Sequence, residues 1–281
     1  MHLRLYILFI FALFCNFSSY FRGIAQQKEH LTAIIGAVDK EVVLLQNNMT
    51  NKEIKKVHGL TFITGQLKGR NVVLAKTGVG KVNAAMAVTV LITNFKPTEI
   101  IFTGIAGALN PNLKLGDIVI AYQTVQYDFG SLMPEGLQNW GMKNPINDKT
   151  NPIFYLADTV LFNAAQNSAA KISLTKIKIG RKYWLPSITK GTVATGDMFV
   201  ASSAKSKELR EKYGADAVEM EGGAVAQVCY QYNVPCLVIR SLSDAADENA
   251  KKNYDTFISI AATNSANLVM GLLEDLGKRG K

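Results

Sequence analysis

Val218-Glu219-Met220-Glu221-Gly222-Gly223-Ala224-Val225-Ala226 sets two carboxylates one residue apart in a segment that is otherwise apolar or small. A buried ionised carboxylate is costly unless a partner or ligand compensates it. Further on, the apolar run Val234-Pro235-Cys236-Leu237-Val238-Ile239 ends in Arg240-Ser241-Leu242-Ser243-Asp244. Two strand-like runs that each deliver acids, joined by a small-residue helix, follow the strand–helix–strand order of α/β proteins. In such proteins ligands gather outside the carboxyl ends of the strands. The two runs therefore predict an α/β fold with a pocket for a polar ligand.

The same alternation extends outward. Leu31–Ala37, Leu60–Gln66, Asn71–Lys76, Glu99–Ile105, Asp117–Val125, Thr189–Thr195, Ala217–Met220 and Val234–Arg240 read as strands. Asp39–Asn47, Val82–Asn94, Pro152–Ala170, Ser203–Tyr213, Gly222–Tyr232 and Tyr254–Leu276 read as helices. With no linker or internal repeat to divide it, the pattern predicts one domain, a central mixed, mostly parallel sheet flanked by helices. Phe129–Asn151 breaks the rhythm with Gly, Pro and Asn around Met133, Trp140 and Met142. A loop of this length is either functional, an assembly contact or a surface excursion.

His2 and Arg4 precede the apolar stretch Leu5–Phe17, and Gly23-Ile24-Ala25 supplies small residues at a cleavage site. Residues 1–25 are expected to be a signal peptide whose apolar core is too short to favour a membrane span, with an uncleaved anchor as the alternative and 26–281 as the exported domain. An exported chain is expected to be periplasmic or secreted, with no membrane association after cleavage. The formal net charge is +9, but the basic residues are scattered and form no arginine-rich stripe, so nucleic acid is not an expected partner. Of the three cysteines, Cys229 and Cys236 lie beyond the leader. Both sit in apolar runs and read as buried thiols, although export would permit a bridge. Histidines and cysteines with metal-ligand spacing are lacking, and no metal site is expected.

Four groups fall at expected strand ends. Gly36-Ala37-Val38-Asp39-Lys40-Glu41 closes one strand and opens a helix, where a glutamate also suits the helix dipole. Thr77-Gly78-Val79-Gly80-Lys81 and Thr103-Gly104-Ile105-Ala106-Gly107 are tight turns whose backbone can approach a ligand. Ala194-Thr195-Gly196-Asp197-Met198-Phe199-Val200 puts an aromatic beyond a strand, where it can stack on a base or fill the core. The fourth is Arg240–Asp244 together with the opening segment, although Asp244 and Asp247 could also cap a following helix.

In order and spacing, Gly36–Glu41, Thr77–Val82, Thr103–Leu109 with Lys114–Asp117, Thr195–Val200, Val218–Ala226 and Arg240–Asp247 resemble a bacterial methylthioadenosine/S-adenosylhomocysteine nucleosidase, within the purine nucleoside phosphorylase superfamily. The likeness covers about residues 31 to 276. It implies hydrolysis of the N-glycosidic bond of 5′-modified adenosines, with no cofactor, a purine nucleoside as small-molecule partner, and a homodimer. By the same resemblance Asp244 is the general acid at purine N7 and Glu41 the general base for water. Glu221 would bind the ribose hydroxyls beside Met220, and Arg240 would lie near ribose and water. Phe199 would stack on the base, the Val200 backbone would read the adenine edge, and Ser243 would orient Asp244. Val79 and Tyr254 complete the substrate-binding set, with Glu219 in a supporting role.

The chain departs from the family pattern at three pocket positions. Ile105 stands where a serine often helps hold the water or phosphate, leaving water positioning to Glu41 and Arg240. Val38 replaces a frequent methionine and Tyr254 a usual phenylalanine, both at the 5′ end. Phe129–Asn151 also differs from the corresponding segment, which in relatives reaches a neighbour's site. Two alternatives stand beside the hydrolase: a phosphorylase, which Ile105 disfavours, and a non-catalytic nucleoside-binding protein on the same fold.

Overall fold

The protein was analysed as a computed structural model that describes residues 30–179 and 181–279; the expected signal peptide lies outside the described residues. In chain order, β1 (Leu31–Gly36) leads into α1 (Asp39–Asn48), the strands β2 (Thr50–Val57), β3 (Leu60–Leu67) and β4 (Arg70–Lys76), then α2 (Lys81–Phe95) and β5 (Glu99–Ala108). There follow β6 (Ile118–Gln126), the short strands β7 (Ser131–Met133), β8 (Gly136–Gln138) and β9 (Phe154–Leu156), and α3 (Thr159–Ala169). The chain then forms β10 (Ile177–Ile179), β11 (Lys182–Trp184), β12 (Ile188–Thr195) and α4 (Ser203–Tyr213). It ends with β13 (Ala217–Glu219), α5 (Gly222–Tyr232), β14 (Cys236–Asp244) and α6 (Ala250–Arg279).

The main sheet runs β13-β12-β6-β14-β5-β1-β4-β3-β2, with β9 paired to β6. Parallel pairing joins β4 to β1, β1 to β5, β5 to β14, β6 to β12 and β12 to β13. The β2–β3–β4 meander and the β14–β6 contact are antiparallel, so the sheet is mixed. β13 also pairs antiparallel with β5, through Ala217↔Ala108 and Val218↔Gly107. That second pairing closes β13, β12, β6, β14 and β5 into a ring.

Strand alternation divides the core into two layers. Ala33 and Ile35 of β1 face one cluster, with Val88 and Leu91 of α2 and Val225 of α5. Ile34 faces the other, with Leu45 of α1, Leu161 of α3, and Leu268 and Leu272 of α6. The stretch Ala250–Lys278 is long and apolar enough to cross a membrane, but most of it is buried in this core.

Four local readings differ from the sequence expectation. β2, TNKEIKKV, is exposed along almost its whole length and has no apolar face to betray it. Pro152–Ala170 is not one helix: β9 comes first, and Asp158 then caps α3 by accepting from Val160 N and Leu161 N at 3.0 and 2.9 Å. β14 continues four residues past Arg240, because Ser241, Ser243 and Asp244 are buried within the ring rather than released to a loop. Phe129–Asn151 is partly regular: β7 pairs with β8, and Phe129 packs edge-on against Trp140 at 4.8 Å.

Asp216 sits where the ring closes. Its carboxylate accepts from Asn110 Nδ2 (2.9 Å), Arg210 Nη1 (2.6 Å) and Thr192 N (3.0 Å), while its carbonyl accepts from Leu109 N at 2.9 Å. Asp216→Ala is expected to destabilise the fold by about 2–3 kcal/mol, since it strips several partly buried donors of their acceptor. Thermal or urea unfolding measures this directly, and a change within experimental error would remove Asp216 as the closing point.

Candidate active site

Strand ends and helix starts at one end of the sheet enclose a cavity of about 400 Å³. Its walls include Glu41, Val79, Phe199, Met220, Glu221, Ser243, Asp244 and Tyr254. Arg240 and Val200 are not on this wall. Arg240 lies buried behind it, and Val200 packs in an apolar cluster with Leu109 and Tyr127.

Glu41 enters from the first turn of α1. Oε2 accepts from Ala37 N and Val38 N at 2.5 and 2.9 Å, as a third-position glutamate does when it folds back on a helix start. Oε1 reaches across to Ile105 N on β5 at 2.9 Å. Burial raises the Glu41 pKa, opposed by the charge of Arg240 and by these three amides. A carboxylate so held keeps a fixed direction while remaining able to take a proton.

Asp244 ends β14. Its Oδ2 accepts from Ser243 Oγ at 2.8 Å and its Oδ1 from Ala246 N at 2.9 Å. Burial pushes its pKa up, with Asp247 adding to the rise and the two hydrogen bonds opposing it. A carboxyl whose pKa is raised keeps its proton to higher pH than an exposed one, which suits it to donate. Phe199 meets Tyr254 edge-on with ring centroids 5.9 Å apart, which gives the cavity an aromatic corner.

Glu221 links two helices. It stands at the N-cap of α5, and its Oε1 accepts from Gly80 N, at the start of α2, at 2.8 Å. Gly80 has φ 95°, a conformation that favours glycine, and its amide serves a protein carboxylate. Burial and the neighbouring Glu219 charge push the Glu221 pKa up to about 8, against the pull of Arg240 and of the Gly80 amide.

Glu219 is far more than the supporting neighbour expected from sequence. Its Oε2 accepts from Arg240 Nη2 (2.6 Å) and Nε (3.2 Å), and from Gly222 N (2.7 Å) and Glu221 N (3.1 Å). Oε1 takes a hydrogen bond from the Thr195 hydroxyl. The Arg240 guanidinium also lies over the Phe102 ring, 3.9 Å from its centroid. Three carboxylates, of Glu219, Glu41 and Glu221, raise the pKa of Arg240 further against its burial. The acid and the arginine each stand in an apolar strand, but Glu41 and Glu221 offer Arg240 the same charge, so the sequence does not single out Glu219 as its main partner. Lys251 was also missed; it lines the cavity rim from the first turn of α6, beside Tyr254.

Residues 32–274 match the family pattern of the phosphorylase superfamily. The chain belongs to that superfamily. It is 39% identical over 252 residues to a 5′-methylthioadenosine/S-adenosylhomocysteine nucleosidase of Anoxybacillus flavithermus, covering 88% of this chain and 99% of the relative. Among solved structures, the Neisseria meningitidis nucleosidase of the same name, in complex with methylthio-immucillin-A, superposes with TM-score 0.76 at 35% identity, covering 87% of this chain and 98% of the other. A futalosine hydrolase of Helicobacter pylori superposes with TM-score 0.73 at 30% identity, covering 88% and 98%.

A folded-state pKa above the unfolded value means stability that is complete below the unfolded pKa and is lost as pH rises through the folded one. For Glu221 that window runs from the ordinary 4.5 to about 8. Glu221→Gln keeps an acceptor for Gly80 N and removes the charge. It is expected to gain thermal stability over the unsubstituted protein between these pH values, by a few kcal/mol at most, of order 1 per pKa unit. Melting curves at several pH values test this; a pH-independent difference would show that Glu221 is not the titrating group.

Proposed function

We propose that the chain is an N-glycosyl hydrolase that releases adenine from 5′-methylthioadenosine and S-adenosylhomocysteine. The observation that carries this reading is the gathering of Glu41, Glu221 and Asp244 in one cavity, each with a raised pKa from burial. Cleavage requires an acid for the leaving purine, a base for water and a hydrogen-bond acceptor for the sugar. Glu41 and Glu221 share the field of Arg240 but accept from different amides, while Asp244 stands with Ser243 and Ala246, which suits the three to different tasks.

In this mechanism Asp244 protonates purine N7 as the C1′–N9 bond breaks, and the bonding pair leaves with the base. Water attacks C1′ and gives a proton to Glu41, whose carboxylate is steadied by Arg240 and three amides. Glu221 accepts from the ribose hydroxyls, which favours its ionised form when substrate is bound. Met220 borders the sugar and Phe199 the base. Hydrolysis is preferred over phosphorolysis because Ile105 directs its backbone N–H to Glu41 and packs its side chain with Ile258 and Ala262, offering no hydroxyl to an anion.

The reading extends to the cell and the assembly. An exported homodimer is supported by the leader-like residues 1–25 and by exposed apolar side chains on α2 (Val82, Met86) and on the β7–β8 excursion (Leu132, Met133). Sedimentation equilibrium and fractionation of expressing cells test these two points; a monomer, or a protein confined to the cytoplasm, would refute the respective one.

Adenine release from both nucleosides is expected to proceed in phosphate-free buffer. Strict dependence on phosphate would make the enzyme a phosphorylase. Asp244→Asn is expected to lower kcat by at least about 10³-fold while leaving the Kd for a substrate analogue within a few-fold, because the amide keeps the shape and loses the proton. Turnover in that variant near the unsubstituted level would remove Asp244 from the proton transfer.

A further inference from the structure

We propose that Cys229 and Cys236 are a disulfide-forming pair that staples α5 to β14. Nothing in the proposed hydrolysis uses either thiol. Cys229 is in the last turn of α5 and buried, while Cys236 opens β14 and is half-buried. The Cys236 thiol lies close enough to Cys229 to raise its pKa, and both side chains line a second cavity of about 300 Å³, at the end of β14 opposite Asp244.

The backbone between them enforces the contact. Asn233 caps α5 in the left-handed region (φ 53°), and Val234 N donates to the carbonyl of Cys229 itself at 2.9 Å. The chain is thereby reversed within a few residues, and Cys236 returns beside the helical turn that carries Cys229. A disulfide needs two β-carbons brought close with little backbone movement, and a fixed reversal that sets both cysteines on one cavity wall favours that approach.

The oxidant is a small-molecule disulfide such as oxidised glutathione. Cys236, the more accessible of the two, attacks it as the thiolate, forming a mixed disulfide and releasing one thiolate. Cys229 then loses its proton and attacks the Cys236 sulfur, releasing the second. Two protein thiols are oxidised by two electrons, the reagent disulfide is reduced to two thiols, and the two protons end on those thiols. Burial and the neighbouring sulfur raise the Cys229 pKa well above its ordinary value, so this thiol resolves the mixed disulfide rather than initiating the exchange.

The staple bears on the site through the elements it joins. α5 starts at Glu221 and β14 ends at Asp244, so the bridge would fix the far end of the unit that delivers the sugar-binding and acid groups. It does not touch those groups, and turnover is expected to be unchanged by oxidation.

The experiment uses the full chain carrying Cys15→Ser, so that Cys229 and Cys236 are the only thiols. The purified protein is incubated with oxidised glutathione, denatured, alkylated and weighed by intact mass spectrometry. The expected product is a monomer that has lost two hydrogens and takes up no alkylating agent. Its Tm is expected to rise by about 5–10 °C, as for a short closed loop in a domain of this size, and to fall back with dithiothreitol. Cys236→Ser is expected to show neither the mass loss nor the Tm rise. Two alkylated cysteines after oxidation, a lasting glutathione adduct, or a disulfide-linked dimer would each overturn the proposal.

Discussion

The buried ion pair between Arg240 and Glu219 is the constraint to which the rest of the site answers. Arg240 is 1% exposed, and a guanidinium placed so deep demands both opposite charge and donor satisfaction. Glu219 supplies the charge and spends its remaining lone pairs on the backbone of the β13–α5 turn and on Thr195. That turn is what presents Met220 and Glu221 to the cavity. The same arginine stands 4.0 Å from Glu221 and sets the field in which both Glu221 and Glu41 titrate, so one cation acts on two carboxyls besides its main partner.

The site was legible in the sequence to the extent that polar residues stood where strands should have been apolar. Glu221, Arg240, Ser243 and Asp244 break apolar runs, and Glu41 follows a strand end by a few residues; all five lie at or just behind one cavity. Who pairs with whom was not legible. Glu219 and Glu221 share a motif and a residue type, but Arg240 holds the first at 2.6 Å, while the second, 4.0 Å from the same guanidinium, is bound to Gly80 N. Only the closing of β13 against β5 decides this, and two residue pairs of antiparallel ladder leave no local signature. β2 was missed for a related reason: a strand with both faces in solvent has no periodicity to read.

Three pocket positions singled out in the sequence form one physical unit. Val38, Ile105 and Tyr254 pack together with Ile258, Ala261 and Ala262. A change at one would leave a void or a clash against the other two, because close-packed interiors relax only partially. The three positions are therefore one wall rather than three separate ones. Glu41 binds the backbone N–H of Ile105, a contact that does not depend on the side chain there.

The open side of the sheet has a consequence of its own. Among the described residues β2 ends the β13-to-β2 path with an unpaired outer edge, and it carries Lys52, Lys55 and Lys56. A second copy adding there would set three lysines against three, while desolvating the row of peptide groups between them. The polar character that hid this strand from sequence reading thus works as a barrier to endless sheet growth.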